Sequence, residues 1–257
     1  MSFNQKEYLA LGLKPGGGLR HIDAMVHILG IQPSIYISAL GDDVLQNAVV
    51  IVTDLEFYES CHKYTTEIGI TSVLVSSLRQ AISGSPIHPL SSMEIHHMRI
   101  KENAHLVNGR RVAGHPEDFR FGATGFVTME EAQQALFQLF QQYDEKKALR
   151  PVVIMGHDVD NDIEGLKERV GVDLSALGVI SMTLDTQRMA KELGLANHKP
   201  HGKLSLKDTL ALYSITEPYL HNAGNDAFHT MDVACLLAID NGTGRGRYQK
   251  ENQVGMF

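Results

Sequence analysis

Short apolar, β-branched runs alternate along this chain with longer stretches of helical spacing. Ala48-Val49-Val50-Ile51-Val52 is continuously apolar and runs on through Thr53 to Asp54-Leu55-Glu56. A run of this kind predicts a buried strand. Pro151-Val152-Val153-Ile154-Met155 predicts a second, and residues 179–184 another. Thr66 to Val75 and His96 to Lys101 also have strand character, and adjacent His96 and His97 would face opposite ways. Helical spacing marks Leu19 to Leu29, with Ile22, Met25, Val26, Ile28 and Leu29 apolar and Gly30 as its stop. Met129 to Tyr143 shows one apolar face at Ala132, Ala135, Leu136, Leu139 and Phe140. Residues 185–193, 205–213 and Met231 to Ile239 predict further helices, and residues 80–95, with their Gly, Ser and Pro, a loop.

Three of these elements end or begin in carboxylates. Strand residues i and i+2 share a face, so Asp54 and Glu56 would project together. Two readings follow: a solvated acidic turn, or a pair of like charges relieved by a divalent cation. Oxygen ligands favour Mg²⁺ or Mn²⁺ over zinc. After the second strand, Asp158 suits a helix N-cap, and Asp162 falls one turn later. His221 and Asp226 stand at the entrance of the last predicted helix.

Composition bounds the rest. The chain has 257 residues, enough for one large domain or two small ones, and an ordinary globular balance of 43% hydrophobic and 21% charged residues. No apolar run has the length of a membrane span, and the N-terminus lacks a signal-peptide pattern. Cys61 and Cys235 are too few for a disulfide framework. Asn241-Gly242-Thr243, without a secretory signal, reads as a turn after the last helix. The expectation is an intracellular protein, cytoplasmic or nuclear, with no membrane partner. The net charge of −7 argues against a general nucleic-acid coat protein. His96, His97 and His105 lack the spacing of a zinc site. Gly242-Thr243-Gly244-Arg245-Gly246 follows a helix rather than a strand, which excludes a dinucleotide loop. The expected organisation is an N-terminal extension at 1–45, a domain at 46–241 and a flexible Gly-, Arg- and Lys-rich tail at 242–257. The extension either completes the core or serves as an arm for a protein partner.

Four motifs in order resemble the DEDDh branch of exonucleases. They are Asp54-x-Glu56, Gly156-His157 through Asp162, Leu184-Asp185-Thr186 with Lys203-Leu204-Ser205-Leu206, and His221-x-Ala223-x-x-Asp226-Ala227. The likeness spans roughly 46–240, and Ile100-Lys101-Glu102-Asn103 and Phe119-Arg120-Phe121-Gly122 most resemble a fungal group within the family. Asp158 departs from the family's usual Asn, and Asn161 from an aromatic or apolar residue. The added charge either weakens polyanion binding or serves as an outer-shell metal partner.

The resemblance implies an α/β, ribonuclease H-like fold. Its central sheet would be mixed, with three antiparallel strands first and parallel strands after, flanked by helices. It implies a 3′-to-5′ exonuclease acting on the 3′ end of single-stranded RNA or DNA. Asp54, Glu56, Asp162 and Asp226 would hold two Mg²⁺ or Mn²⁺ ions, and neutral His221 would take the proton of the attacking water. Arg110 and Arg111, with Arg120, form either a phosphate-contacting patch or a solvated loop. Lys203 and Lys207 are further phosphate candidates. Leu55, Phe57 and Tyr58 line a terminal-base pocket by position, while core packing explains the aromatic pair equally well. The alternative function is a catalytically weak nuclease fold serving as a nucleic-acid- or protein-binding module. RNA against DNA, and the oligomeric state, stay open.

Overall fold

In the computed structural model, residues 19–34, 37, 42–83, 92–195 and 203–243 are described. Helix α1 spans His21–Ile28, and α2 spans Asp42–Gln46. Strands β1 (Val49–Phe57) and β2 (Thr65–Leu74) lead to α3 (Val75–Ser83), then to β3 (Glu94–Ile100) and β4 (Thr124–Val127). Helix α4 (Met129–Phe140) precedes β5 (Val152–Gly156) and α5 (Val159–Gly165), which widens into a π turn over Leu166–Val170. The rest is α6 (Leu174–Leu177), β6 (Ile180–Asp185), α7 (Thr186–Glu192), α8 (Leu206–Leu212) and α9 (Ala223–Thr243). No helix among the described residues is long and apolar enough to cross a membrane.

The strands form one sheet in the order β4-β3-β2-β1-β5-β6. The β1–β2 and β2–β3 pairs are antiparallel, while β1–β5, β5–β6 and β3–β4 are parallel. This is the mixed sheet expected from the resemblance, extended by β4, which the sequence pattern did not reveal. β4 is a four-residue edge strand with a glycine inside it, too short for a periodic signal.

Alternation sorts the core onto both faces. Val50 and Val52, with Val73, Val153, Met155, Met182 and Leu184, pack towards α1 and α9. Val49, Ile51 and Leu55, with Ile68, Ile70, Met98 and Ile154, pack towards α4 and α5. The period continues past Val52, so Asp54 and Glu56 belong to the α9 face. Helix α1 is buried almost all round, and Gly30 ends it at φ 72°. Glu192 at the end of α7 accepts the His21 and Ile22 N–H groups at 3.0 and 2.9 Å, capping α1 from outside. Residues 21–28 therefore belong to the same core as the sheet. Residues 1–18 lie outside the described residues, as do 84–91, His198 to Gly202 and the tail from 244.

Three local readings are corrected. Residues 75–83 are helical: Val75 and Leu78 are buried with Ile82 half-buried, a helical spacing that the following Gly and Pro obscured. Asn241-Gly242-Thr243 is the last turn of α9, not a turn after it, because Gly242 packs under Ile31 and Val26. Asp158 precedes α5 at φ 70° and its side chain makes no cap. A left-handed residue there turns the carboxylate away from the first-turn amides, which an N-cap in the extended region would meet.

One contact decides how α9 meets the sheet. A Cβ on Gly69 of β2 would lie 1.8 Å from the Ala223 carbonyl oxygen. On Gly224 it would lie 2.6 Å from the Phe119 ring and 2.7 Å from the His97 Cβ. Gly69 faces Asp54 across the β1–β2 ladder, so the missing side chain lets α9 begin directly beside the acid. Substituting Gly69→Ala should destabilise the fold by about 3 kcal/mol or more, since backbone rather than a flexible side chain would have to move. Urea denaturation measures this; a change below about 1 kcal/mol would contradict the close approach.

Candidate active site

The β1–β5 pairing runs from Val49–Val152 to Val52–Met155 and stops there. Leu55 lies beyond it, and its free N–H donates to Asp162 Oδ1 at 3.1 Å. This draws Asp162, buried on the first turn of α5, to the end of β1. From the other side, Asp226 sits on the first turn of α9, and its Oδ2 accepts the His221 N–H at 3.0 Å. His221 holds φ 65°, a left-handed conformation costing roughly 1–2 kcal/mol for a residue with a Cβ. Its half-exposed ring places Nδ1 3.9 Å from Glu56 Oε1. Ligand atoms of Glu56, His221 and Asp226 all lie within 4.8 Å of one another.

The charges of this group oppose one another. Burial, then the Glu67 charge, pushes the Asp54 carboxyl up to about 7. Burial raises Glu56 well above the usual range, and Asp54, Glu67, Asp226 and Asp162 add to it. Burial and Asp54 likewise raise both Asp162 and Asp226. His221 moves the other way: burial, then His115 and Lys207, lowers it and favours the neutral ring. Asp226 Oδ1 is buried with no hydrogen-bond partner among the described residues. A buried carboxylate oxygen in that state is costly. Glu56 and Asp226, with His221, thus stand close enough to share a divalent cation, while Asp54 and Asp162 carry raised carboxyls nearby without belonging to that group of three. Carboxylate oxygens are hard donors, and one of them, Asp226 Oδ1, is unsatisfied.

Glu67 is the residue that sequence inspection missed. It is 4% exposed, pairs in register with Glu56, and faces the same side. Its Oε2 accepts the Ala223 N–H at 3.2 Å and lies 2.9 Å from His97 Nε2, while His97 Nδ1 lies 2.9 Å from the Thr124 hydroxyl. The polar alternation Glu67-Gly69-Thr71 against Ile68 and Ile70 was the available signal. Its meaning depended on the register with β1. His96, by contrast, is exposed, as the alternation predicted for the pair.

The proposed substrate contacts separate into two groups. Phe57 and Arg111 line a cavity of about 210 Å³ together with Glu56, Glu59, His62, Asn108 and His221. Glu59 holds its rim by accepting the Gly109, Arg110 and Arg111 N–H groups at 3.2, 2.8 and 2.8 Å. The Arg169 guanidinium lies 4.3 Å from the Phe57 ring centre. Leu55 points into the opposite core, and Arg110 is exposed on the same loop without lining the cavity. Tyr58 is half-buried. The Arg120 guanidinium lies over Tyr219. Lys203 Nζ lies 3.3 Å from Asp158 Oδ2, and Asn161 Nδ2 donates to that same oxygen at 2.9 Å. Lys207 is exposed and close enough for its charge to act on His221.

Residues 49–237 match the family model described as the DEDDh domain, DNA polymerase III subunit epsilon-like, C-terminal domain. The chain is 29% identical over 183 residues to an uncharacterized nucleolar protein of Schizosaccharomyces pombe, covering 71% of this chain and 66% of that protein. It is 26% identical over 204 residues to Good for full DBP5 activity protein 2 of Saccharomyces cerevisiae, covering 73% of this chain and 35% of that protein. The chain thus spans just under two thirds of the first relative and about a third of the second. Among solved structures, exonuclease I aligns with a TM-score of 0.46 at 12% identity, covering 77% of this chain and 42% of the other. The zinc-bound E. coli exonuclease I complex with single-stranded DNA gives the same score at 11% identity, with the same shares covered.

The raised carboxyls make a prediction about stability. An acid raised in the folded state binds protons more tightly there than in the unfolded chain. Its contribution is therefore full below the unfolded value and is lost as pH rises through the folded one. For Asp54 that window runs from 3.8 to about 7. Between pH 4 and 7 the metal-free protein should lose roughly 2–4 kcal/mol from this group, the lower figure because Asp54 keeps some contact with water. Thermal melting across that range, with and without Mn²⁺, checks it. Mn²⁺ should restore stability at pH 7.5 in the parent protein and much less in Asp54→Asn; an equal effect in both would remove Asp54 from the metal set.

Proposed function

The chain belongs to the DEDDh family of DNA polymerase III epsilon-like exonuclease domains, and from that premise we propose that it is a metal-dependent 3′-to-5′ exonuclease acting on single-stranded nucleic acid. The observation that carries this reading is the convergence of Glu56, His221 and Asp226, with the buried Asp226 Oδ1 left unsatisfied and Asp54 close enough for its charge to act on Asp226. Asp54, Glu56, Asp162 and Asp226 would hold two Mg²⁺ or Mn²⁺ ions. When bound, such ions neutralise the phosphodiester and lower the pKa of the attacking water. His221, kept neutral and half-exposed, accepts the water's proton. Phe57 and Arg111 flank the same cavity, so a terminal nucleotide placed there would meet an aromatic face and a guanidinium. Arg110 adds charge on the same loop, and Leu55 contributes its backbone at the base of the site. Lys203 can reach a phosphate only by leaving Asp158. The nucleolar name of the S. pombe relative supports a nuclear location.

That last ion pair also favours a second reading. A cation expected to bind phosphate is neutralised by an acid where the family usually has Asn. This suits a catalytically weak protein that binds nucleic acid or protein on a retained nuclease fold.

The two readings separate in one assay. End-labelled single-stranded RNA and DNA, incubated with Mg²⁺, Mn²⁺ or chelator, should shorten stepwise from the 3′ end only when metal is present. Asp54→Ala should abolish shortening. His221→Ala should slow it by about 10²- to 10⁴-fold while sparing metal binding. A folded, metal-binding protein that leaves both polymers intact would overturn the exonuclease reading in favour of the binding module.

A further inference from the structure

Asn222 and Asn225 are both fully buried, and neither belongs to the family's acid-and-histidine set. Asn225 Nδ2 donates to the carbonyls of Asp118 and Tyr219, each at 3.0 Å, and its Oδ1 accepts the Arg120 N–H at 3.0 Å. Asn222 Oδ1 accepts the Asn225 N–H at 3.1 Å, and its Nδ2 donates to the His115 carbonyl at 2.9 Å. The His115 N–H then donates to the His221 carbonyl at 3.1 Å. Ring contacts reinforce the join: Phe121 stacks on Phe228 with centroids 3.7 Å apart, and His115 meets the Tyr219 edge at 5.6 Å. Residues 115–121 are thereby fastened to the start of α9.

His221 shows what the fastening does. Its ring takes part in no hydrogen bond among the described residues; its nearest charged partner is Glu56 at 3.9 Å. What is held is the backbone, which sits at φ 65° and so fixes the direction in which the Cα–Cβ bond carries the ring. Two bonds hold that backbone: its N–H to Asp226, and its carbonyl to the His115 N–H. Asp226 belongs to the acid set. The second bond depends on where the His115 peptide stands, and the Asn222 amide holds that peptide by its carbonyl.

We infer that Asn222 and Asn225 are positioning residues: their amides clamp residues 115–120 onto α9, and through the His115 peptide this clamp keeps His221 in the left-handed conformation that aims its ring at Glu56 and Asp226. The inference rests on His221 being the general base proposed above. Neither amide reaches the reacting atoms.

Asn222→Ser is the test, because a serine hydroxyl still caps the Asn225 N–H but is too short for the His115 carbonyl. Asn222→Asp, isosteric and also a good cap, replaces it if the serine variant loses its circular dichroism signal. The expected result is a kcat lower by about 10- to 100-fold, with KM and Mn²⁺ affinity changed less than about twofold. In a His221→Ala background the same substitution should cost nothing further, whereas a merely structural role would cost as much in both. The His221 ring resonances, followed by ¹H–¹³C NMR, should change from one sharp set to broadened or doubled signals. An unchanged kcat with unchanged resonances, or equal losses in both backgrounds, would overturn the inference. Should the parent protein show no nuclease activity, the exonuclease reading fails on its own, and the resonances still decide: a set unmoved by Asn222→Ser overturns the clamp, and a broadened set supports it.

Discussion

Like charges crowded at the end of one strand set the terms for the whole site. Burial raises the proton affinity of Asp54, Glu56, Asp162 and Asp226 at a partly dry corner of the molecule, and the charges of neighbouring acids, Glu67 among them, add to it. Nearly every polar contact nearby opposes that repulsion. Leu55 lends its N–H to Asp162, His221 to Asp226, and Ala223 to Glu67. These are backbone donors at a strand end and a helix start, where the ladder or helix leaves N–H groups unpaired. The first turn of α9 brings the positive end of its dipole to the same place. The compensation stops short of complete, and the Asp226 Oδ1 atom is where it stops. A bound cation would supply what the protein withholds, so that metal affinity and the strain of the metal-free fold would be two aspects of one arrangement.

That arrangement needs α9 close to the sheet. Gly69 and Gly224 remove the side chains that would hold the helix off, and the Glu67–His97–Thr124 chain then fastens the contact from within the sheet. On the solvent side the segment between β3 and β4 does two jobs. Its first part, clipped by Glu59 and Asn108, forms one wall of the cavity beside Glu56. Its second part packs over the start of α9 and fixes the backbone of His221. Holding His221 through its backbone leaves its ring open to water and to a proton, as the proposed role of general base requires. A ring locked by its own hydrogen bond would have to break that bond to react.

The places of the acids were legible from local pattern, which left Asp54 and Glu56 open between a solvated turn and a cation site; the resemblance grouped them with Asp162, His221 and Asp226. Asp54 and Glu56 follow a β-branched run at strand period, Asp162 follows the next strand, and His221 and Asp226 precede a helix. The central strands and the longer helices were legible for the same reason: a periodic apolar face is a local property. Glu67 escaped because a lone acid in a strand acquires meaning only when the antiparallel register sets it beside Glu56. Asn222 and Asn225 escaped because small polar residues near a helix start are common caps, and their partners lie about a hundred residues away. The left-handed turn at Asp158 escaped because no spacing rule announces it.

Sequence alone therefore determined which candidate groups this chain carries, an oxygen-rich acid set with one histidine, and most of the strands and helices that present them. Tertiary structure alone decided how that chemistry is charged and aimed. Proton affinities depend on burial and on distances between distant segments, and the direction of His221 depends on a loop that meets it only in the folded state. Periodicity along a chain encodes faces and ends; it does not encode which ends meet, because that is settled by close packing of elements far apart in sequence.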